Sequence, residues 1–243
     1  MISDSPYQDL GPRSEASGLW YEVFAGNFAG RPALFLDRDG VIVEDTHYLG
    51  RPQDVRMIAG AADGIARCNR LGIPVVLVSN QSGIARRLYD WQGFQAVQAA
   101  LTVELTRTGA RLDAVFACAH HADGHAPFNI ADHPWRKPNP GMIVAAGERM
   151  KLDLARSWIV GDRASDIAAG RAAALEGGIL VAPREDDPER HAVIGLASEQ
   201  FAVDIAASLA DAVSLLLARG KFGITARRRE PRDDTPIRTR SPR

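Results

Sequence analysis

The sequence predicts an α/β fold, a doubly wound parallel sheet with helices on both faces. Three observations predict it. Five short runs are apolar throughout, the pattern of strands buried on both faces. Helical or polar segments separate them, the rhythm of βαβ units. Four runs end in the polar residues Asp37, Ser79, Cys118 and Asp162. In such sheets ligands sit beyond the carboxyl ends of the strands.

In order, residues 33–37 (ALFLD) form the first buried strand, stopping at acids and Gly40. Residues 61–71 carry Ile65, Cys68 and Leu71 at helical spacing, and Gly72 stops that helix. Residues 73–80 (IPVVLVSN) are a second strand, 91–108 a helix and 112–118 (LDAVFAC) a third strand. Residues 119–136 are a loop rich in His, Asp and Pro, after which Pro140 opens a helix to about residue 151. Residues 157–162 are a fourth strand, 164–175 a helix and 177–182 a fifth strand. A loop over 183–200, a short edge strand at 201–205 and a helix over 206–218 complete the pattern.

The domain is expected over residues 31–220, with an N-terminal extension at 1–30 and a disordered arginine-rich tail at 221–243. Within the extension, Leu19, Trp20, Tyr21, Val23 and Phe24 read as an amphipathic turn docked on the domain; the other reading is an exposed partner site. From Thr225 onward the tail holds seven arginines against three acids, a solvated tail or a binder of an anionic partner.

Composition limits the function. The 243 residues are 46% apolar and 24% charged, which excludes wholesale disorder. A net charge of -1 argues against a nucleic-acid binder held by phosphate contacts. Two cysteines fifty positions apart exclude a disulfide scaffold. No basic-then-apolar leader opens the sequence and no apolar run approaches the ~20 residues of a membrane span. A cytoplasmic, soluble protein without membrane or nucleic-acid partners is expected, with a monomer favoured.

Asp37-Arg38-Asp39-Gly40 is the strongest local signal. Acids two apart on an extended segment face the same side. They repel unless a divalent cation neutralises them or each takes a different task. Taken alone, the motif is equally a solvated acidic turn. The rest of the chain argues otherwise: Ser79-Asn80-Gln81-Ser82, Arg136-Lys137-Pro138 and Gly161-Asp162 with Asp166 follow in order, each at a strand end or in the loop beside one. Lys137 is one of three lysines in the chain.

These four ordered motifs resemble the haloacid dehalogenase (HAD) superfamily of aspartate-nucleophile phosphatases, over about residues 33–217. The resemblance implies a Rossmann-like fold, with Asp37 as nucleophile forming an aspartyl-phosphate. Asp39 would be the general acid and base, Ser79 a hydrogen-bond partner of the phosphoryl group and Lys137 its charge neutraliser. It implies Mg²⁺ on the Asp37 carboxylate, the Asp39 backbone carbonyl and Asp162. Asp166 would stand behind these ligands, and it equally suits the first turn of its helix. No large insert follows the first or second motif, so no separate cap domain is expected.

Within the superfamily, residues 80–86 (NQSGIAR) and 136–142 (RKPNPGM) are similar to the heptose-1,7-bisphosphate 7-phosphatase group, whose sister group is the histidinol phosphatases. That match implies a small phosphorylated sugar as substrate, contacted by Arg38, Asp45, Tyr48, Asn80, Ser82, Arg136 and Arg163. Arg136 is suited to grip a second phosphate bidentately. Two departures stand out. Arg87 occupies a position where the group has Gly. The group's zinc loop is matched by Cys118 and His120, with His133 in the third ligand position and Trp135 in the fourth. One reading is a structural Zn²⁺ on Cys118, His120 and His133; the other is a metal-free loop in which Trp135 packs in place of the site. A histidinol or related phosphatase, a receiver-like phospho-acceptor module and a catalytically silent relative are the alternatives.

Overall fold

The computed structural model describes residues 17–24 and 26–223. The expectations for residues 1–16 and for the arginine-rich tail beyond 223 lie outside them. Among the described residues there are seven strands: β1 (Leu19–Val23), β2 (Leu34–Leu36), β3 (Val75–Asn80), β4 (Ala114–Cys118), β5 (Trp158–Gly161), β6 (Gly177–Val181) and β7 (Ala202–Ala206). They form one sheet in the order β1-β4-β3-β2-β5-β6-β7. All neighbours are parallel except β1, which runs antiparallel to β4 with Leu19 opposite Cys118 and Val23 opposite Ala114.

Successive side chains of a strand face opposite ways, and both faces here are covered. Leu34, Leu36, Val75 and Leu77 pack on one side with helices α1 (Ala61–Arg70), α3 (Trp91–Arg107) and α7 (Leu209–Ala218). Ala33, Phe35, Val76 and Val78 pack on the other with α4 (Gly141–Met150), α5 (Ala164–Ala172) and α6 (Glu189–Ile194). Phe35 is fully buried, which contributes about 2–3 kcal/mol. The short α2 (Ser82–Ala85) follows β3 directly. Asp90 caps α3 by accepting from the Gly93 N–H at 2.8 Å.

The chain leaves β2 toward β3 and β4, then returns to β5 on the other flank of β2 and continues outward. The strand order reverses there, and a crevice opens beyond the carboxyl ends of β2 and β5. Among the described residues, loops rather than a further folded unit border it. Residues 37–60 carry a 3-10 turn at Pro52–Asp54 and isolated bridges from Val43 to Asp39 and Met57.

Several elements differ from the sequence reading, among them α2, which it left unassigned, and α7, which starts at Leu209 rather than 206. Residues 19–23 are an edge strand rather than a docked turn, because Leu19 and Trp20 alternate onto the two core faces. The expected loop over 183–200 contains α6, which a single fully buried residue, Val193, fastens to the core. A pattern with one anchor has too little periodicity to show. Finally, α5 stops at Ala172, short of residue 175, as the chain turns through a left-handed Ala174 (φ 54°).

Candidate active site

Asp37 directly follows β2, and its N–H donates to the Val160 carbonyl at 3.0 Å, tying it to β5. Its Oδ1 accepts a 2.5 Å hydrogen bond from Lys137 Nζ. The same ammonium donates to the Val78 carbonyl at 2.7 Å and lies 2.7 Å from Asp166 Oδ1. Asp166 also caps α5, its Oδ2 accepting from the Arg163 N–H at 3.0 Å. Lys137 is held in turn by Asn80, whose side-chain amide donates to the Lys137 carbonyl at 3.0 Å and accepts from its N–H at 3.1 Å.

The carboxylates of Asp37, Asp162 and Asp166 converge, one oxygen of each lying within 4.8 Å of the others. Two glycines permit this. A Cβ at Gly40 (φ 76°) would strike the Asp162 carboxylate, and one at Gly161 would strike Asp166. The cluster is electrostatically expensive. Burial, then Asp37 and Asp166, pushes Asp162 up to about 8. Burial also raises Asp37, against the pull of Lys137. For Lys137 burial opposes the charge, but Asp166 and Asp37 hold the ammonium above its ordinary value. Hard oxygen donors that repel one another in a crevice suit a small divalent cation such as Mg²⁺.

A cavity of about 590 Å³ opens over this cluster. Of the sequence-predicted residues, Asp37, Asp39, Asp45, Tyr48, Asn80, Ser82, Arg136, Lys137, Asp162, Arg163 and Asp166 line it. Arg136 donates to the His120 carbonyl at 2.9 Å, which fixes its guanidinium at the wall. Arg163 meets Asp45 at 3.5 Å, Asp162 at 3.6 Å and Glu189 at 3.9 Å.

Two predicted residues are placed differently. Arg38, expected on the substrate, is 1% exposed and does not reach the cavity. Its guanidinium grips Asp39 through Nε at 3.1 Å and Nη2 at 3.0 Å, with Gln81 at 3.2 Å. Burial raises Asp39, and Arg38 opposes it. Ser79 is 1% exposed at the end of β3 and lies behind the cavity wall, its Oγ accepting from Gln81 Nε2 at 2.7 Å.

Sequence reasoning missed His47, Tyr89 and Ser165 on the cavity wall, and Gln81 and Glu189 behind it. Glu189 accepts from the Ala164 N–H at 2.6 Å, reaching the site from α6. Of these, Gln81 had a signal, since it lies inside the motif 79–82. Burial pushes the Tyr89 phenol up to about 12, so it remains a donor at neutral pH.

Among the described residues, Cys118, His120 and His133 of the zinc-like loop do not form a metal-binding cluster. His120 and His133 stack in parallel at 4.0 Å, and Cys118 Sγ lies 3.9 Å from His133 Nδ1. That nitrogen already accepts from the Trp135 N–H at 3.1 Å. Burial pushes the Cys118 thiol up to about 12. Trp135, in the fourth position, offers only an indole donor and packs against Phe116 and Tyr21 at 1% exposure.

A doubly wound sheet with clustered acids and one buried lysine at its switch point defines a HAD-like hydrolase. A HAD-hydrolase-like family model matches residues 134–212. A D-glycero-beta-D-manno-heptose-1,7-bisphosphate 7-phosphatase of Mesorhizobium japonicum is 49% identical over 166 residues, covering 68% of this chain and 76% of the relative. A HAD-like phosphatase from Mesorhizobium loti superposes with a TM-score of 0.74 at 42% identity, over 85% of this chain and 96% of that one. The D,D-heptose 1,7-bisphosphate phosphatase of B. bronchiseptica, solved with magnesium and phosphate, gives 0.64 at 29% identity, over 77% and 99%. The chain belongs to the heptose-1,7-bisphosphate 7-phosphatase family of HAD-like hydrolases.

Proposed function

We propose that this enzyme removes the 7-phosphate of a heptose 1,7-bisphosphate in a Mg²⁺-dependent reaction through an aspartyl-phosphate. The observation that carries the reading is the Asp37–Lys137 pair at 2.5 Å, set beside Asp162 at the mouth of the crevice. The relatives named above support the sugar, and the histidinol alternative draws no support from them.

In this reading an Asp37 carboxylate oxygen attacks phosphorus as the bond to the sugar oxygen breaks. Asp39, protonated, gives its proton to that leaving oxygen. The Asp39 carboxylate then takes a proton from the water that attacks the aspartyl-phosphate, which frees Asp37 and inorganic phosphate. Lys137 keeps the nucleophile ionised and offsets charge on the phosphoryl oxygens. Asp37, Asp162 and the Asp39 carbonyl would hold the magnesium ion, which supplies further neutralisation of the phosphoryl charge. Arg136 faces the same cavity and suits the second phosphate.

The test is phosphate release from heptose 1,7-bisphosphate, histidinol phosphate and hexose phosphates, with Mg²⁺, with EDTA and in Asp37→Asn. Release that needs Mg²⁺, is lost in the variant and is about tenfold faster on the heptose compound is expected. Mg²⁺-dependent release with another preference overturns the substrate. No release from any compound overturns the activity.

A further inference from the structure

Behind the cavity wall runs a chain of hydrogen bonds that the catalytic scheme leaves unused. Gln81 is 1% exposed and sits between three groups. Its Oε1 accepts from Arg38 Nη2 at 3.2 Å and from the Tyr89 hydroxyl at 2.7 Å. Its Nε2 donates to Ser79 Oγ at 2.7 Å. This amide has one workable orientation. Turned over, it would set its NH₂ against the Arg38 guanidinium, which can only donate.

That orientation decides what Ser79 can do. A serine hydroxyl holds one proton and two lone pairs. Because Gln81 donates to it, one lone pair is taken and the proton must point away from Gln81. Among the described residues that proton has no acceptor, although the side chain is buried. The next residue back, Val78, receives the Lys137 ammonium on its carbonyl at 2.7 Å. Ser79 thus follows in β3 the residue whose carbonyl anchors the ammonium that meets Asp37.

Tyr89 is fixed as firmly as the amide it holds. Its ring lies in a cradle between two glycines. A Cβ at Gly50 would come within 2.7 Å of the ring, and one at Gly83 would strike it.

We infer that Gln81 and Tyr89 are positioning residues that set the polarity of the Ser79 hydroxyl, making it a donor toward the phosphoryl group. The inference rests on the proposed reading of Ser79 as a phosphoryl contact. Tyr89 and Arg38 fix the amide, and the amide fixes the hydroxyl. The same Arg38 also grips Asp39, so one buried guanidinium orients the groups on both sides of the nucleophile.

Gln81→Glu tests this with almost no change of shape. A carboxylate can only accept, so it draws the Ser79 proton toward itself and away from the cavity. The expected result is a fall in kcat of about tenfold or more, the scale of losing one donor to a transition-state oxygen. KM should change far less. The decisive reading is a double-mutant cycle with Ser79→Ala. If Gln81 acts through Ser79, Gln81→Glu costs less than about twofold in the Ser79→Ala background. An equal loss in both backgrounds overturns the inference, as does a Gln81→Glu enzyme with wild-type kcat.

The same cycle is read a second way, by calorimetric binding of orthovanadate with Mg²⁺, which needs no turnover. A chain that binds vanadate but hydrolyses no sugar phosphate fails the functional reading while the cycle still decides the relay. Should melting curves show that Gln81→Glu does not fold, Tyr89→Phe carries the test, since it removes one hydroxyl and keeps the ring in its cradle. It should lower kcat by about threefold, an effect absent when Ser79 is Ala. Loss that persists in the Ser79→Ala background overturns the inference here too.

Discussion

Asn80 and Lys137, 57 residues apart, are joined as a reciprocal pair: the Asn80 amide accepts from the Lys137 N–H at 3.1 Å and donates to its carbonyl at 3.0 Å. The cis Lys137–Pro138 bond follows immediately. A side chain at the end of β3 thus sets the backbone from which the Lys137 ammonium reaches Asp37. Asn80, expected as a substrate contact, has both ends of its amide committed to this task, although it also lines the cavity.

Asn80→Asp keeps the acceptor and turns the donor into an oxygen facing a carbonyl. We expect kcat to fall by about tenfold or more, because small displacements of a charged positioning group are costly. Stability should fall by about 1–3 kcal/mol for the buried carbonyl left unsatisfied. Steady-state kinetics with urea titration checks both, and an unchanged kcat would remove Asn80 from the positioning of Lys137.

Magnesium binding should release a proton. Without metal, Asp162 is pushed up to about 8, so at pH 7 it carries a proton that a bound cation must displace. Calorimetry in two buffers of different ionisation heat should report up to about one proton released, and none in Asp162→Asn. An acid whose folded value is raised contributes stability below its unfolded value of 3.8, and that stability is lost as pH rises toward about 8. The metal-free protein should therefore melt lower at alkaline than at mildly acidic pH, a trend that Mg²⁺ reverses.

His133 gives the opposite slope. Burial, then His120, lowers it from 6.5 to about 4. Between those values the unfolded chain binds a proton that the folded one refuses, so stability falls as pH drops through this window. His133→Gln should flatten the dependence of Tm on pH over that range. An identical slope in wild type and variant would show that another group is responsible.

Arg87 adopts φ 58°, in the left-handed region, with its side chain exposed. The departure from glycine at this position is accommodated by strain rather than by a new contact with the cavity. Arg87→Gly should stabilise the protein by about 0.5–1 kcal/mol, the left-handed penalty less the entropy of a freer unfolded chain. Thermal melting measures it, and kcat should stay at the wild-type value.

The main lines of fold and site were legible because the signals were local. Apolar runs ending at Asp37 and Asp162 announce parallel strands, and the sheet joins them as neighbours through β2 and β5. Lys137, scarce as a residue type, was also legible, and it meets Asp37 across a sequence gap of 100. What the sequence hid depends on direction. Arg38 sits between two site acids, yet its side chain turns into the core and grips Asp39 from behind. Tyr89 carries no motif and gains its place from glycines at 50 and 83, a relation that exists only after folding. Strand β1 was hidden because its last residues lie at a half-exposed edge, where alternation fades.

The shortest strand in the sheet, β2, is also its middle one, with three strands on either side. Protection from solvent exchange follows structure of this kind, since amides at the centre of a sheet open only when the whole sheet does. The Asp37 amide, bonded to Val160 across that centre, should exchange its hydrogen at the slowest rate in the molecule. Residues 44–48 at the cavity mouth are exposed, whereas Asp37 is held against the centre of the sheet. For Asp37, losing its place and losing the fold should be one event.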